Sequence, residues 1–382
     1  MKGTNVSKRI AIPYGCNKLN YGSMLQAYAL KEYIQDRFGY QCDFLWKKGG
    51  LIKYSNIRFE KIASMLSIAI AHPSTIKSVS RLVYDTIFHR KEVTHFSTET
   101  KHLYDDFKKT HYNIILCSEK ELRKKSEDYY KMVICSDQLW NSYDYYIDRM
   151  YYLRFCPEEK RVSYATSMGS DTLSYWNKRK VSKYIREIPF VSVREQSAVD
   201  ICEREIGAKA TLVSDPTLLL DKETWKKKLD ISENTNEQYC LAYFLKQPSS
   251  AALEAIDFFK SRMPVKVIPY PYGAGVNAES AGPREFIELL NGAEYVLTDS
   301  YHGTLFSINF EKQFTTFIRP LQKRNENTRF DNIAQALGVG DRFATGDEWR
   351  KIIDTPMDYS KISDMRKSFV EKSRLYLEEA LK

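Results

Sequence analysis

The feature that most restricts the fold is an alternation of short apolar strands with segments of helical periodicity. Residues 9–15, RIAIPYG, are an apolar run ending in a turn. In 20–39 the apolar side chains fall at Met24, Leu25, Ala27, Tyr28, Leu30, Tyr33 and Ile34, which is helical spacing, and Gly39 is a stop signal. QCDFLWK (41–47) then reads as the next strand. Strand, helix and strand at this spacing form a βαβ unit, so the sheet is expected to be parallel. Residues 57–110 interrupt the pattern with two helical stretches, the second amphipathic and basic, and are read as an insertion. Alternation resumes at 129–141, 161–170, 189–207 and 210–221. The charged, Asn-rich stretch 222–238 reads as a join, after which a second alternating run begins at YCLAYFLK (239–246). The expectation is α/β: two Rossmann-like, doubly wound domains facing a cleft. They cover residues 1–225, with a basic helical insertion at about 57–110, and residues 236–382, with a long C-terminal amphipathic helix. A chain of 382 residues exceeds what one core usually serves, which agrees with two domains.

Composition narrows the class. No run of eighteen apolar residues occurs, and the N-terminal MKGTNVSKRIAIPYG lacks the apolar core of a signal peptide, so a cytoplasmic protein is expected. The seven cysteines (16, 42, 117, 135, 156, 202 and 240) are odd in number and widely spaced, without a CxxC pair, and read as free thiols. The formal charge is +9, concentrated between Lys47 and Lys109, where twelve Lys/Arg face six Asp/Glu. No nucleic-acid-binding module accompanies this charge, so no nucleic-acid partner is expected. The patch fits an anionic membrane surface, a phosphorylated substrate or a solvated helical face.

Polar residues recur where apolar strands end, and in doubly wound sheets those ends line the ligand cleft. They are Ser136, Asp137, Gln138, Trp140 and Asn141; Ser167, Gly169 and Ser170; Arg194 and Glu195; Asp215; and Asp299, Ser300 and His302. Each has a plain structural reading beside the functional one. Asp215 before Pro216 suits a turn, Ser136 and Asp137 suit a cap, Arg194 and Glu195 suit a surface ion pair, and His302 suits a satisfied core histidine. The loop 17–26 holds Asn20, Gly22 and Ser23 at a strand-to-helix turn, where backbone N–H groups suit an anion or a sugar hydroxyl. It is neither a P-loop nor a GxGxxG fingerprint. The other five histidines (72, 89, 95, 102 and 111) lie in the insertion region without ligand spacing, and no metal site is expected.

Taken in order, NYGSMLQAYAL (20–30), ICSDQLWN (134–141), YATSMGS (164–170), VSVREQSAVDI (191–201), DPTLLLD (215–221) and VLTDSYHGTLFSINFEKQF (296–314) resemble the polysaccharide pyruvyl transferase family. The resemblance implies a GT-B-like pair of domains and transfer of the pyruvyl group of phosphoenolpyruvate (PEP) onto sugar hydroxyls, usually as a cyclic ketal, in bacterial surface-polysaccharide synthesis. It implies Arg194 and His302 as the PEP-binding core. Ser300, Gly303 and Thr304 complete it at the helix N-terminus, and Lys312, Arg319 and Lys323 add positive potential. Asp137 is the first choice of general base and Asp299 the second. Asn20, Gly22, Ser23, Ser136, Gln138, Trp140 and Ser167 are expected to meet the acceptor, a saccharide that a lipid carrier would bring to the membrane face. No cofactor is expected beyond PEP as donor substrate. Two other readings stay open: a nucleotide-sugar glycosyltransferase of the same architecture, and a glycan-binding protein without catalysis. Ser23 stands where many relatives carry an acid, and the basic insertion has no counterpart.

Overall fold

The structure, a computed structural model, describes residues 8–14, 19–47, 57–87, 96–232, 237–268, 278–319 and 327–382. In chain order the first half contains β1 (Arg9–Pro13), α1 (Tyr21–Phe38), β2 (Gln41–Lys47), α2 (Ile57–Ala71), α3 (Ile76–Ile87), α4 (Thr98–His111), β3 (Ile114–Cys117), α5 (Glu119–Lys125), β4 (Lys131–Cys135), β5 (Arg161–Tyr164), α6 (Lys178–Arg186), β6 (Ser192–Val193), α7 (Gln196–Asp200), β7 (Thr211–Leu212) and α8 (Lys222–Leu229). The second half follows with β8 (Cys240–Tyr243), α9 (Ser250–Lys260), β9 (Val265–Ile268), α10 (Pro283–Gly292), β10 (Tyr295–Thr298), α11 (Tyr301–Asn309), β11 (Gln313–Phe317), α12 (Thr328–Leu337), β12 (Phe343–Ala344), α13 (Trp349–Ile353) and α14 (Tyr359–Ala380).

Two five-stranded sheets, parallel throughout, carry the fold. The first has the order β3-β2-β1-β4-β5 and the second β12-β11-β10-β8-β9. Each order reverses once, between β1 and β4 in the first sheet and between β8 and β10 in the second. Such reversal points open a crevice at the carboxyl ends of the strands. β6 and β7 form a short parallel pair that continues the first sheet through bridges from Val162 to Phe190 and from Thr166 to Val193. The α/β class and the doubly wound sheets read from the sequence are those observed.

Helix α1 lies between the two halves. Its first ten residues are all buried, the polar Ser23 and Gln26 included. Tyr21 donates to Ala281 O (2.8 Å) and stacks on Phe286 (4.8 Å), while Tyr28 packs against Trp225 (5.6 Å). Three expectations change here. The charged stretch at 222–238 opens with helix α8, capped by Asp221 and pinned by the fully buried Trp225 against Phe306 (5.3 Å). One large apolar side chain among lysines was enough to fold it into the core. The expected insertion also ends earlier than residue 110, because α4 buries Tyr104 and Phe107 and serves as the crossover into β3. The α2–α3 hairpin is the described part of the insertion that remains. Finally, α14 docks back across the first half: Tyr376 donates to Ser163 O (2.8 Å), and Ser373 Oγ accepts from the Ser214 N–H (2.7 Å).

A candidate active site where the two sheets meet

The site is built from the loops at both reversal points. Asn20 caps α1 by accepting the Ser23 N–H (3.0 Å), which sets the helix start directly behind β1. Ser23 Oγ then donates to Asp137 Oδ2 (2.6 Å) in the loop after β4. Ser136 and Asp137 both hold positive φ (21° and 70°), conformations that cost non-glycine residues on the order of 1 kcal/mol each. The surroundings enforce them. The Ser136 N–H donates to Tyr164 O (2.8 Å), the Ser167 N–H to Asp137 O (2.9 Å), and the Gln138 N–H to Asp137 Oδ1 (2.8 Å).

Arg194, at the end of β6, is 1% exposed. Its Nη1 donates to Asp215 Oδ2 (2.7 Å) and to Ser136 Oγ (3.1 Å), and the Ser136 hydroxyl donates to the same Asp215 oxygen (3.1 Å). Asp215 Oδ1 accepts the N–H (3.1 Å) and hydroxyl (2.9 Å) of Thr217. From the second half, His302 in the first turn of α11 brings Nε2 to 3.2 Å from Gln26 Oε1 and 3.6 Å from Asp215 Oδ2. A proton on Nε2 would serve both oxygens. The other ring edge abuts α1, where a Cβ on Gly22 would lie only 1.9 Å from Nδ1. Glycine at 22 is therefore a requirement of close approach.

The charges are coupled. Burial alone would raise the Asp137 carboxyl, but Arg194, the Ser23 hydroxyl, His302 and the Gln138 N–H hold it below the usual carboxylate range. Burial opposes ionisation of Asp215 in the same way, and His302, Arg194 and the Thr217 N–H hold it well below that range. Both carboxylates are ionised at neutral pH. Burial works against the Arg194 charge as well, yet Tyr301, Asp215, Glu195 and Asp137 raise it overall.

A second guanidinium completes the cluster. Arg194 lies 4.7 Å from the centre of the Tyr301 ring and Arg329, from α12, lies 5.6 Å from it. Burial and the repulsion of Arg194 push Arg329 down to about 10. Among the described residues no carboxylate is within ion-pair distance of Arg329, and its Nε has no hydrogen-bond partner. The Arg194 Nε is also without a hydrogen-bond partner, and Glu195 Oε2 stands 4.0 Å from it.

The expected residues do not all meet here. Asn20, Gly22, Ser23, Ser136, Asp137, Gln138, Arg194 and His302 lie in or beside the cluster. Asp299 is spent elsewhere: it accepts the Leu245 N–H (2.6 Å) and pairs with Arg319 (2.6 Å), fastening the loop after β8. Trp140 is fully buried, donating to Tyr151 O (2.9 Å) and stacking on Tyr152 (5.8 Å), so no face of it is open to an acceptor. Ser167, also buried, donates to Glu195 Oε1 (2.8 Å). Ser300 caps α11 and Thr304 donates back to Ser300 O (3.0 Å). A Cβ on Gly303 would lie 2.5 Å from Thr298 Oγ1, so packing on β10 explains this glycine without an anion. Lys312 donates to Asn291 O (2.5 Å), and Lys323 lies outside the described residues. The Arg194–Glu195 pair, read as a surface feature, is buried.

Sequence reasoning missed Gln26, Tyr301 and Arg329 and left Asp215 as a turn residue. Gln26 was within reach, since it stands four residues after Gly22 on the same face of α1. Arg329 carried no local signal. Beside the cluster, a cavity of about 700 Å³ opens at Gln138. Its walls are Tyr143, Tyr145 and Tyr146 from the loop after β4 and Lys61, Met65 and Leu82 from the hairpin. Among the described residues no group of three or more His, Cys, Asp or Glu is placed to hold a metal ion.

A family model described as polysaccharide pyruvyl transferase matches residues 20–319, a span that includes Arg194, Asp215 and His302 and ends before Arg329. No curated protein matches the chain. Among solved structures, it is similar to UDP-GlcNAc 2-epimerase from Neisseria meningitidis bound to UDP-GlcNAc (10% identity, 97% of this chain and 98% of that chain, TM-score 0.48). It is also similar to a UDP-glucosyltransferase from Polygonum tinctorium (12% identity, 98% and 97%, TM-score 0.40) and to an E. coli heptosyltransferase (11% identity, 95% and 99%, TM-score 0.38).

Proposed function

Because the chain belongs to the polysaccharide pyruvyl transferase family, we propose that it transfers the pyruvyl group of PEP onto two hydroxyls of a saccharide, closing a cyclic ketal during synthesis of a surface polysaccharide such as a capsule or exopolysaccharide. A proton is added to the methylene carbon of PEP, leaving an oxocarbenium-like centre at C2. One sugar hydroxyl attacks C2 and loses its proton. The C2–O bond to phosphate then breaks, and a second hydroxyl attacks and loses its proton. The products are the ketal and inorganic phosphate.

The observation that carries this reading is the convergence of β4, β6 and β10 on one cluster in which His302 stands against Asp215 while two guanidinium groups share the Tyr301 ring. In the reading, His302 is the proton donor and Asp215 stabilises its imidazolium. Arg329 grips the donor anion; Arg194, already held by Asp215, adds positive charge behind it. Asp137 receives the proton of the acceptor hydroxyl. A carboxylate held below its usual range is a weak base, which suits orienting the hydroxyl and taking its proton only as the new C–O bond forms. The acceptor sugar lies in the tyrosine-walled cavity beginning at Gln138, where ring faces stack on its C–H surfaces. PEP is the only co-substrate in this reading. The six described cysteines are all free and buried, which supports action on the cytoplasmic side, where a lipid carrier would present the acceptor at the membrane face.

Calorimetric titration with PEP tests this, with a nucleotide-sugar panel for comparison. PEP binding that falls with Arg329→Ala, together with loss of phosphate release in His302→Ala, is the expected result. Binding of a nucleotide sugar without PEP binding overturns the reading, as does His302→Ala at near wild-type turnover under saturating PEP.

A further inference from the structure

Among the described residues, exposed apolar surface is concentrated on the α2–α3 hairpin. Of the twelve large hydrophobic side chains exposed in the described chain, seven lie within residues 59–87. Leu82 reaches the cavity wall; the others are Phe59, Leu66, Ile70, Ile76, Tyr84 and Ile87. Phe59, Leu66 and Ile70 stand at i, i+7 and i+11 of α2, within about 40° of one another around the helix axis, so they form one stripe. Phe59 is 74% and Ile70 83% exposed, more than any other large apolar side chain described. Isolated apolar residues on a surface need no explanation, but a continuous stripe marks an interaction face.

The inner faces of the hairpin are already occupied. Met65 and Ala69 pack on Val79, Ser64 Oγ donates to Tyr145 O (2.7 Å), the Tyr146 hydroxyl donates to Glu60 (3.0 Å), and Ser74 bonds the Tyr175 hydroxyl (2.6 Å). The outer stripe is therefore a surplus that packing among the described residues does not use. The exposed charges of the hairpin have one sign. Among the described side chains of the hairpin, the exposed charged ones are Lys77 and Arg81, one turn apart on α3, whereas Glu60, Lys61 and Asp85 are half-buried. Neither helix is long and apolar enough to cross a bilayer. A short apolar stripe with exposed lysine and arginine is the pattern of helices that lie in the headgroup region of an anionic membrane.

We infer that the α2–α3 hairpin docks on an anionic lipid bilayer, with Phe59, Leu66 and Ile70 entering the interface and Lys77 and Arg81 meeting lipid phosphates. Because Lys61, Met65 and Leu82 on the same hairpin wall the cavity beside Gln138, docking places that cavity at the lipid surface. The assignment of the cavity to a lipid-borne acceptor rests on the pyruvyltransferase reading; the docking itself does not.

The test is co-sedimentation of the full chain with vesicles of phosphatidylglycerol and phosphatidylethanolamine, against vesicles of phosphatidylcholine. Wild type is expected to sediment with the anionic vesicles. Phe59→Gln/Leu66→Gln/Ile70→Gln is expected to bind about tenfold more weakly or worse, and Lys77→Gln/Arg81→Gln to lose roughly fivefold per charge on anionic vesicles only. All these side chains are exposed, so circular dichroism and melting temperature are expected to match wild type. Wild type remaining in the supernatant, or a triple variant that binds unchanged, overturns the inference. A wild-type dimer that becomes monomeric in the triple variant also overturns it and assigns the stripe to a second copy of the chain. PEP titration of the same variants separates the two readings: lipid binding without PEP binding removes the donor and leaves the docking.

Discussion

Replacing Gly22 by alanine is the sharpest probe of the site, because two general effects predict opposite signs. In an exposed helix interior the change would stabilise the protein by about 0.5–1 kcal/mol. Here the added Cβ would stand 1.9 Å from His302 Nδ1 and 2.3 Å from its Cγ. Ordinary contact between such atoms is about 3.5 Å, so the ring must retreat by roughly 1.5 Å. Because Cγ is among the clashing atoms, rotating the far end of the ring does not relieve the overlap. A displacement of that size takes Nε2 away from Gln26 (3.2 Å) and Asp215 (3.6 Å). Overpacking costs about 1–3 kcal/mol, which outweighs the helical gain, so the variant is expected to unfold at lower denaturant than wild type. Misplacing a reacting group by about 1 Å costs on the order of 100-fold in rate, and PEP-dependent phosphate release is expected to fall by at least that factor. Gly39→Ala is the control. Its φ is +66° and an added Cβ would meet no described atom within 4 Å, so it is expected to cost roughly 1 kcal/mol at the end of α1 and leave turnover unchanged. A Gly22→Ala protein that is more stable than wild type and fully active would refute the contact between α1 and His302.

Three further outcomes are expected. Arg194→Met or Asp215→Asn removes the direct ion-pair partner of a buried charge and is expected to cost about 3–5 kcal/mol in chemical denaturation, with much of that recovered in the double variant. Arg329→Ala removes a cation with no carboxylate at contact distance among the described residues; it is expected to leave the melting temperature unchanged or higher while PEP affinity, measured by calorimetry, falls by about tenfold or more. Asp137 and Asp215 have folded values below their unfolded values of about 3.9, so their stabilisation is present above that pH and lost as pH falls through the folded values. Denaturation midpoints are therefore expected to respond to these two groups only below about pH 4, and Asp137→Asn is expected to flatten that acid limb.

What the sequence disclosed and what it withheld follow from the range of the interactions. The β1–α1–β2 unit was legible because apolar periodicity is local and the Gly39 stop sits beside it in the chain. Asp215 was not, since one carboxylate caps Thr217 through Oδ1 and holds Arg194 through Oδ2, and the first role alone accounts for the Asp-Pro pattern. The structural roles of Gly303 and Asp299 were hidden for a related reason. Both stand in the segment that resembles the family, yet one answers to Thr298 beneath α11 and the other to Arg319 across the strand ends. Trp140 shows that a large aromatic after a strand end can turn inward as readily as outward. Arg329 reaches the cluster only because α12 packs beside β6, where Asn332 donates to Arg194 O (3.0 Å), a placement no short motif encodes.

The return of α14 across the first half bears on how the chain is made. Ser163 O and the Ser214 N–H sit in the interior of the first half, and their partners are Tyr376 and Ser373. On a ribosome adding about 5–20 residues each second, those partners emerge roughly 10–30 s after Ser214 does. During that interval the nascent first half keeps an open seam beside Tyr164, which α14 later covers through Tyr376 (6.4 Å). The half that is synthesised first is therefore the last to be sealed, and a stop codon before α14 would strip interior contacts from β5 and the segment after β7, far from the truncation itself.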